Sequence, residues 1–267
     1  MEQRTIESWE AFDEYLKELE AFRLQRCQQY QNNAISNWVY RGQSNSEWRL
    51  ATTLERSGWA KEAVSDYYRL IRRTQPQIES LSGNVWDPID LIEVEERIRA
   101  NGIGIGPDLP AYEYMVYLRH HGFPSPLLDW SISPYVALQF AFMDQSNAPF
   151  VSVYSLMEYS TGTKMSDSSK PRIEQFGPYV RAHRRHAIQQ SVYTICTAGH
   201  GVEQKFAEHD SIHDGSDQDL VKKINIRSDL RIEFMARMDR FNLNPFGLYG
   251  SEEGLVRSIA FREMFIR

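Results

Sequence analysis

Arg119-His-His-Gly-Phe-Pro-Ser-Pro-Leu-Leu-Asp-Trp-Ser131, with Ser133-Pro-Tyr-Val-Ala-Leu-Gln-Phe-Ala141 close behind it, is the stretch on which the reading of this chain turns. Imidazoles, a carboxylate, an indole and hydroxyls crowd a segment that reads as a loop between two helices. The upstream helix runs from about Leu109 to His120, with Tyr112, Met115, Val116 and Leu118 on or near one face, and Gly122 ends it. Ser133-Pro134 opens the downstream helix with proline at its first position, and Val136, Ala137, Phe140 and Ala141 pack inward. A plain connection does not need this composition. His120 suits a ribose hydroxyl, and Asp129 suits fixing a neighbouring His or Arg. Asp129 or Ser131 also suits capping the helix at Pro134.

Working outward, Trp38-Val-Tyr40 reads as a short strand, and residues 41–47, polar and holding Gly42, as a loop leaving it. Arg41 at the end of an aromatic strand is placed to hold phosphate or ribose oxygens, and Gly42 to let a ligand approach the backbone. A surface ion pair before a turn is the plainer reading of Arg41. Residues 5–30 carry helical spacing from Ile6 through Phe22, with Ser8 as a cap, broken by Asn32-Asn33. Further helices are expected at 59–73, Leu91–Arg99, Arg227–Phe241 and from about Glu253. Strands are expected at Phe150–Tyr154, Ser191–Ile195 and Leu220–Ile226. Residues 83–90, 101–107, 160–180 and 207–219 read as loops or connections, the last of them acidic. Gln189 and Gln190 stand before a strand, where one amide can enter a cleft. Just upstream, Arg181, Arg184 and Arg185 form a dense basic cluster, either a solvated helix face or a contact for phosphates.

Composition bounds the rest. The 267 residues carry 30 Lys+Arg and 36 Asp+Glu, a net charge of −6, which argues against wholesale coating of nucleic acid. At 42% apolar and 25% charged the chain is globular, not disordered. With no long apolar run, no secretory leader pattern and two cysteines, Cys27 and Cys196, the expectation is a soluble, reduced, cytoplasmic protein without a membrane partner. No phosphate-binding Gly-rich loop with a following Lys, no zinc motif and no Gly-x-Ser-x-Gly elbow occurs, so no metal site is expected. There is no internal repeat. Helices mixed with short, sequence-distant strands indicate one α+β domain over residues 1–267.

Three segments, in this order, resemble the FRG domain family, named for an aromatic-Arg-Gly motif. Tyr40-Arg41-Gly42-Gln43 is similar to that motif. His120-His121-Gly122-Phe123-Pro124 through Leu127-Leu128-Asp129-Trp130-Ser131, then Ser133-Pro134 and Ala137 to Ala141, resemble the family's His-Tyr-Gly-Leu-Pro-Thr-Arg-Leu-Leu-Asp-Trp-Thr stretch and its sequel. Gln189-x-Ser191-x-Tyr193 is similar to its Gln-x-Gly-x-Phe element. The resemblance spans roughly 35–195. The family's Arg in Thr-Arg-Leu-Leu is Pro126 here and its Tyr is His121; if that Arg holds substrate, the role is lost or passes to Arg119 or Arg49.

The family's layout in turn resembles that of NAD-dependent ADP-ribosyltransferases, with Arg41, Ser131-Ile-Ser133 with Ala137–Ala141, and Gln189 as the corresponding pieces. What this implies is a fold of split antiparallel sheets with surrounding helices, and NAD as substrate. Arg41, His120 and Gln189 would do the catalytic work, and Tyr40, Gly42, Gln43, Asp129, Trp130, Ser131, Ser133 and Tyr135 would bind the dinucleotide. Tyr40, Trp130 or Tyr135 would stack on nicotinamide. Gln189 can orient but cannot take a proton, so a carboxylate is expected from elsewhere, with Glu252 or Glu253 the candidates. The implied activity modifies a macromolecule (RNA, DNA or protein) as a toxin or phage-defence effector, with an antitoxin protein as a partner. A non-catalytic nucleotide- or RNA-binding module and an NAD glycohydrolase are the alternatives.

Overall fold

The computed structural model describes residues 3–31, 34–59, 62–100, 102–103, 109–164, 170–178, 180–181, 184–211 and 219–266. Asn32-Asn33, most of the 101–107 connection, residues 182–183 of the basic cluster and residues 212–218 of the acidic loop lie outside them. The chain enters through β1 (Gln3–Ile6), then α1 (Trp9–Tyr30), where Ser8 Oγ accepts from Ala11 N at 3.1 Å as the sequence indicates. There follow β2 (Val39–Gln43), α2 (Thr53–Arg56), α3 (Val64–Ser82), α4 (Leu91–Ala100), α5 (Tyr112–His120), β3 (Leu128–Ser131), α6 (Pro134–Met143) and β4 (Phe150–Met157). Then come β5 (Arg172–Phe176), α7 (Arg184–Ile188), β6 (Ser191–Ala198), β7 (Lys205–Phe206), β8 (Leu220–Arg227), α8 (Arg231–Arg240), α9 (Pro245–Tyr249) and α10 (Glu252–Phe261). Among the described residues no helix is long and apolar enough to cross a membrane.

Helices and a mixed sheet make up the fold. The strand order is β1-β8-β4-β2-β3-β6-β5, with β7 added to β6; β1 runs parallel to β8 and every other pairing is antiparallel. Hydrogen bonding divides the sheet into two parts. β2 stays paired with β4 from Val39 to Gln43, and β3 stays paired with β6 from Leu128 to Ser131. Between them β2 and β3 share a single residue pair, Tyr40 with Ser131. Past that pair the two strands part, and Arg41, Gly42 and Gln43 diverge from Trp130, Asp129 and Leu128.

Two apolar clusters lie on one side of the sheet. On the first half, Tyr40, Val153 and Ile224 pack with Phe12 of α1, Ala137 of α6 and Phe234 of α8. On the second half, Tyr193 and Ile195 pack with Tyr67 of α3, Val94 of α4 and Met115 of α5. The opposite face of both halves meets in a third cluster that includes Val39, Leu50, Trp130, Tyr154, Ile173 and Val192. Lys164 Nζ touches Glu158 just after β4, the carbonyl of Ile173 in β5 and Asp219 just before β8, so the sheet curls until its far strands meet.

Several elements depart from the sequence reading. Leu128–Ser131, taken as loop, is a strand because β6 supplies its ladder, including Asp129 opposite Tyr193. Residues 172–176 inside the expected 160–180 loop form β5 on the outer edge of β6. β2 continues through Gly42 to Gln43 because β4 pairs it that far. Residues 3–6, outside or at the start of the helical reading, are a strand held by residues 223–226. The helix expected at 59–73 starts at Val64 and runs through Pro76 to Ser82. The one expected from Leu109 begins at Tyr112, and the one from Arg227 begins at Arg231.

Candidate functional site

The opening between β2 and β3 holds a cavity of about 820 Å³, within the range of small-molecule sites. One wall is Tyr40, Gly42, Ala137 and Phe140; the other is Trp130, Ser131, Gln189 and Ser191; segment 47–56 and Glu208 close the far side. Tyr40, Arg41, Gly42, Gln43, Asp129, Trp130, Ser131 and Gln189 were singled out in the sequence, and all line this cavity.

Asp129 is the electrostatic centre. Arg41 Nη1 lies 3.0 Å from Asp129 Oδ2 and donates to the Asp129 carbonyl at 2.8 Å, bridging the parted strands. From the last turn of α5, Arg119 reaches Asp129 Oδ1. Burial pushes the Asp129 carboxyl up, but Arg41 and Arg119 outweigh it and hold it well below the ordinary carboxylate range. Its side chain is still 42% exposed, so it forms an open floor to the cleft. Arg56 belongs to the same cluster: burial, then Arg41 and Arg119, lower its pKa. Two guanidiniums thus share the Asp129 carboxylate, with a third close by. Arg41 Nε and Arg119 Nε are buried without a hydrogen-bond partner among the described residues. Such donors cost free energy unless a ligand or water meets them.

Gly42 has a different reason from the one expected. A Cβ there would lie 1.9 Å from the Ala137 carbonyl oxygen and 2.6 Å from Ala141 N, so β2 and α6 touch backbone to backbone. The helix, not a ligand, demands glycine. Ser131 Oγ donates to the Gln189 carbonyl at 2.8 Å and accepts from Ser133 N at 3.0 Å. Ser133, rather than Asp129 or Ser131, caps α6, its Oγ accepting from Val136 N. The side chain of Gln189 donates to the Leu248 carbonyl of α9 at 3.2 Å, and Gln43 Nε2 to the Arg49 carbonyl at 3.3 Å.

Other expected ligands stand elsewhere. His120 Nε2 is 3.0 Å from Tyr193 Oη and does not line the cavity. Tyr135 lies against α1, stacked on Trp9 and donating to Asp13 Oδ1 at 3.2 Å. Trp130 lines the cavity but is buried, with Nε1 donating to Thr194 Oγ1 at 2.9 Å, and Tyr40 is only 8% exposed. None of these three rings is free to stack on a ligand face. The aromatic side chain the sequence reading missed is Trp48, 54% exposed in the cavity lining. Glu252 and Glu253 are exposed in the first turn of α10; Glu253 pairs with Arg257, and neither lines the cavity. The carboxylates that do line it, besides Asp129, are Glu47, Glu55, Asp144 and Glu208. Of the two substitutes for the family's Arg, Arg119 is committed to Asp129, whereas Arg49 lines the cavity, paired with Glu208 and Asp210.

Residues 36–149 match the FRG domain. That segment is the FRG-like part of the chain. Its matched span runs from just before β2 to just before β4 and holds Arg41, Arg56, Arg119 and Asp129. Gln189 and Glu208, which complete the cleft around the FRG domain, come from beyond it. No curated protein and no solved structure matches the chain.

Proposed function

We propose that the cleft binds NAD and that the protein transfers its ADP-ribosyl group to a macromolecule. The observation that carries this reading is the group of guanidiniums at the junction of the half-sheets, with Arg41 and Arg56 lining the cavity beside Asp129. A diphosphate supplies both the charge and the acceptors. The cavity has room for a dinucleotide-sized ligand, and exposed Trp48 offers a ring face to a base. A sheet opened between β2 and β3 also suits the split-sheet layout that the resemblance implies.

In the transfer, the bond between ribose C1′ and the nicotinamide nitrogen breaks, and its electron pair leaves with neutral nicotinamide. An oxygen or nitrogen of the acceptor bonds to C1′ and gives up its proton. The sugar carries positive charge in the transition state, so holding the diphosphate and riboses rigidly is most of the work. Arg181 and Arg184 are exposed just ahead of Gln189, which supports a nucleic acid as acceptor. A toxin or phage-defence role with an antitoxin partner belongs to the same reading.

One observation favours a non-catalytic nucleotide-binding module instead: the Gln189 amide is turned to α9, and Glu252 and Glu253 lie outside the cleft. Incubation with labelled NAD and cell extract separates the readings. Label on RNA, DNA or protein is the expected result, and free ADP-ribose alone means hydrolysis. Intact NAD with tight binding by calorimetry means a binding module. Arg41→Ala should weaken nucleotide binding at least tenfold; unchanged affinity would remove the junction cluster from the argument.

A further inference from the structure

A buried chain of polar groups leads from the core to the cleft wall. Trp130 Nε1 donates to Thr194 Oγ1 at 2.9 Å, Thr194 Oγ1 is 3.0 Å from His209 Nε2, and His209 Nδ1 is 3.0 Å from Glu55 Oε1. Thr194 and His209 are fully buried, and the Glu55 side chain is 8% exposed. An indole N–H only donates, so Thr194 can pass its own hydroxyl proton to His209 Nε2, and His209 Nδ1–H then donates to the carboxylate. One arrangement of protons satisfies every member. The chain ties β3, β6, segment 209–211 and α2 to one carboxylate.

Glu55 sits at the third helical position after the Thr52 cap, where a glutamate ordinarily turns back to the cap's N–H. Here it turns to His209. Oε1 is held, and Oε2 has no hydrogen-bond partner among the described residues, although Glu55 lines the cavity. Arg56, the next residue, belongs to the guanidinium cluster. Beside the cations is therefore a fixed carboxylate oxygen that accepts hydrogen bonds and repels phosphate.

We infer that Glu55 is the ribose-recognising carboxylate of the cleft, and that His209 is its positioning residue. This rests on the nucleotide-binding reading and narrows it to nucleotides with a 2′,3′-diol. A ligand whose phosphates lie on the guanidiniums brings a sugar within a short reach, and a vicinal diol donates to a carboxylate where a deoxy sugar has nothing to offer. Nothing in the residue order marks Glu55 and His209 as partners, since they stand 154 positions apart.

Calorimetry with ADP and 2′,3′-dideoxy-ADP tests it on the intact protein. The wild type should prefer ADP by about tenfold or more, the usual worth of a hydrogen bond to a charged group. Glu55→Gln should bring the two probes within about threefold while still binding both. His209→Ala should lose the preference and His209→Asn, which keeps a donor near Nδ1, should retain most of it. Equal wild-type affinity for the two probes overturns the inference and leaves nucleotide binding standing. A Glu55→Gln protein that keeps the full preference overturns it as well. If the preference survives His209→Ala, the positioning role falls. If the wild type binds neither probe, both readings fall together.

Discussion

Two charged clusters of the molecule are built to opposite rules. At the junction of the half-sheets, Arg41 and Arg119 pair with Asp129, which is partly open to solvent, and Arg56 stands close by. Where the curled sheet closes, Lys164 lies among Glu158, Glu174 and Asp219, with Arg172 on Glu174, all well buried. The first has cations in excess and donors without partners; the second has carboxylates in excess and is sealed. Burial, outweighing Lys164, pushes the Glu174 carboxyl up to about 7 and that of Asp219 to about 6. In the open cluster the guanidiniums win and Asp129 goes down. Access to water and the sign of the surplus charge decide between a binding site and a structural clamp.

The contrast gives a graded set of tests. Lys164→Met leaves Glu158 and Asp219 buried without their cation and should cost roughly 3–5 kcal/mol at pH 8 by denaturant titration, less at pH 5. Glu174→Gln probes the same clamp through pH. Because the folded value of about 7 lies above the ordinary 4.5, folded protein holds a proton that unfolded chain releases. The resulting stability is complete below about pH 4.5 and lost as pH rises through 7. It amounts to on the order of 3 kcal/mol, and Glu174→Gln should flatten that decline. Asp129 acts in the opposite sense: its contribution is full above the ordinary carboxylate range and is lost progressively as pH falls below about 4. Asp129→Asn should cost about 1–2 kcal/mol, discounted for solvent screening at a partly exposed carboxylate, and phosphate buffer should restore more of it than chloride. The smallest structural effect belongs to Arg49→Ala. Its pairs with Glu208 and Asp210 are exposed, so the melting temperature should not move measurably, while ADP affinity falls severalfold.

What could be read from the residues follows how local each signal is. The cap at Ser8, the helix opening at Ser133-Pro134 and the apolar strands β4, β6 and β8 are written in neighbouring residues, and they form as expected. β3 and β5 are short and polar, Leu-Asp-Trp-Ser and Arg-Ile-Glu-Gln-Phe, and they are strands only because β6 pairs with both. The site divides the same way. Arg41, Asp129 and Ser131 stand out by type and position, and they meet in the cleft. His120 and Tyr135 carry equally suggestive chemistry, but α5 turns His120 onto Tyr193 and α1 takes Tyr135 into its own packing. Within segment 47–56, which shows no periodicity, the residues single out Arg49 but not Trp48, Glu55 or Arg56. Its exposed Trp48, placed among polar residues just after the Arg41 strand, was the available signal.

The parallel pairing of β1 with β8 carries a consequence for synthesis. Residues 3–6 are made well before residues 223–226, their hydrogen-bonding partners. Ile6, fully enclosed in the finished fold, stays without its sheet partner in the nascent chain until β8 has been made. Completion of this edge of the sheet therefore waits on a contact more than 200 residues away in sequence.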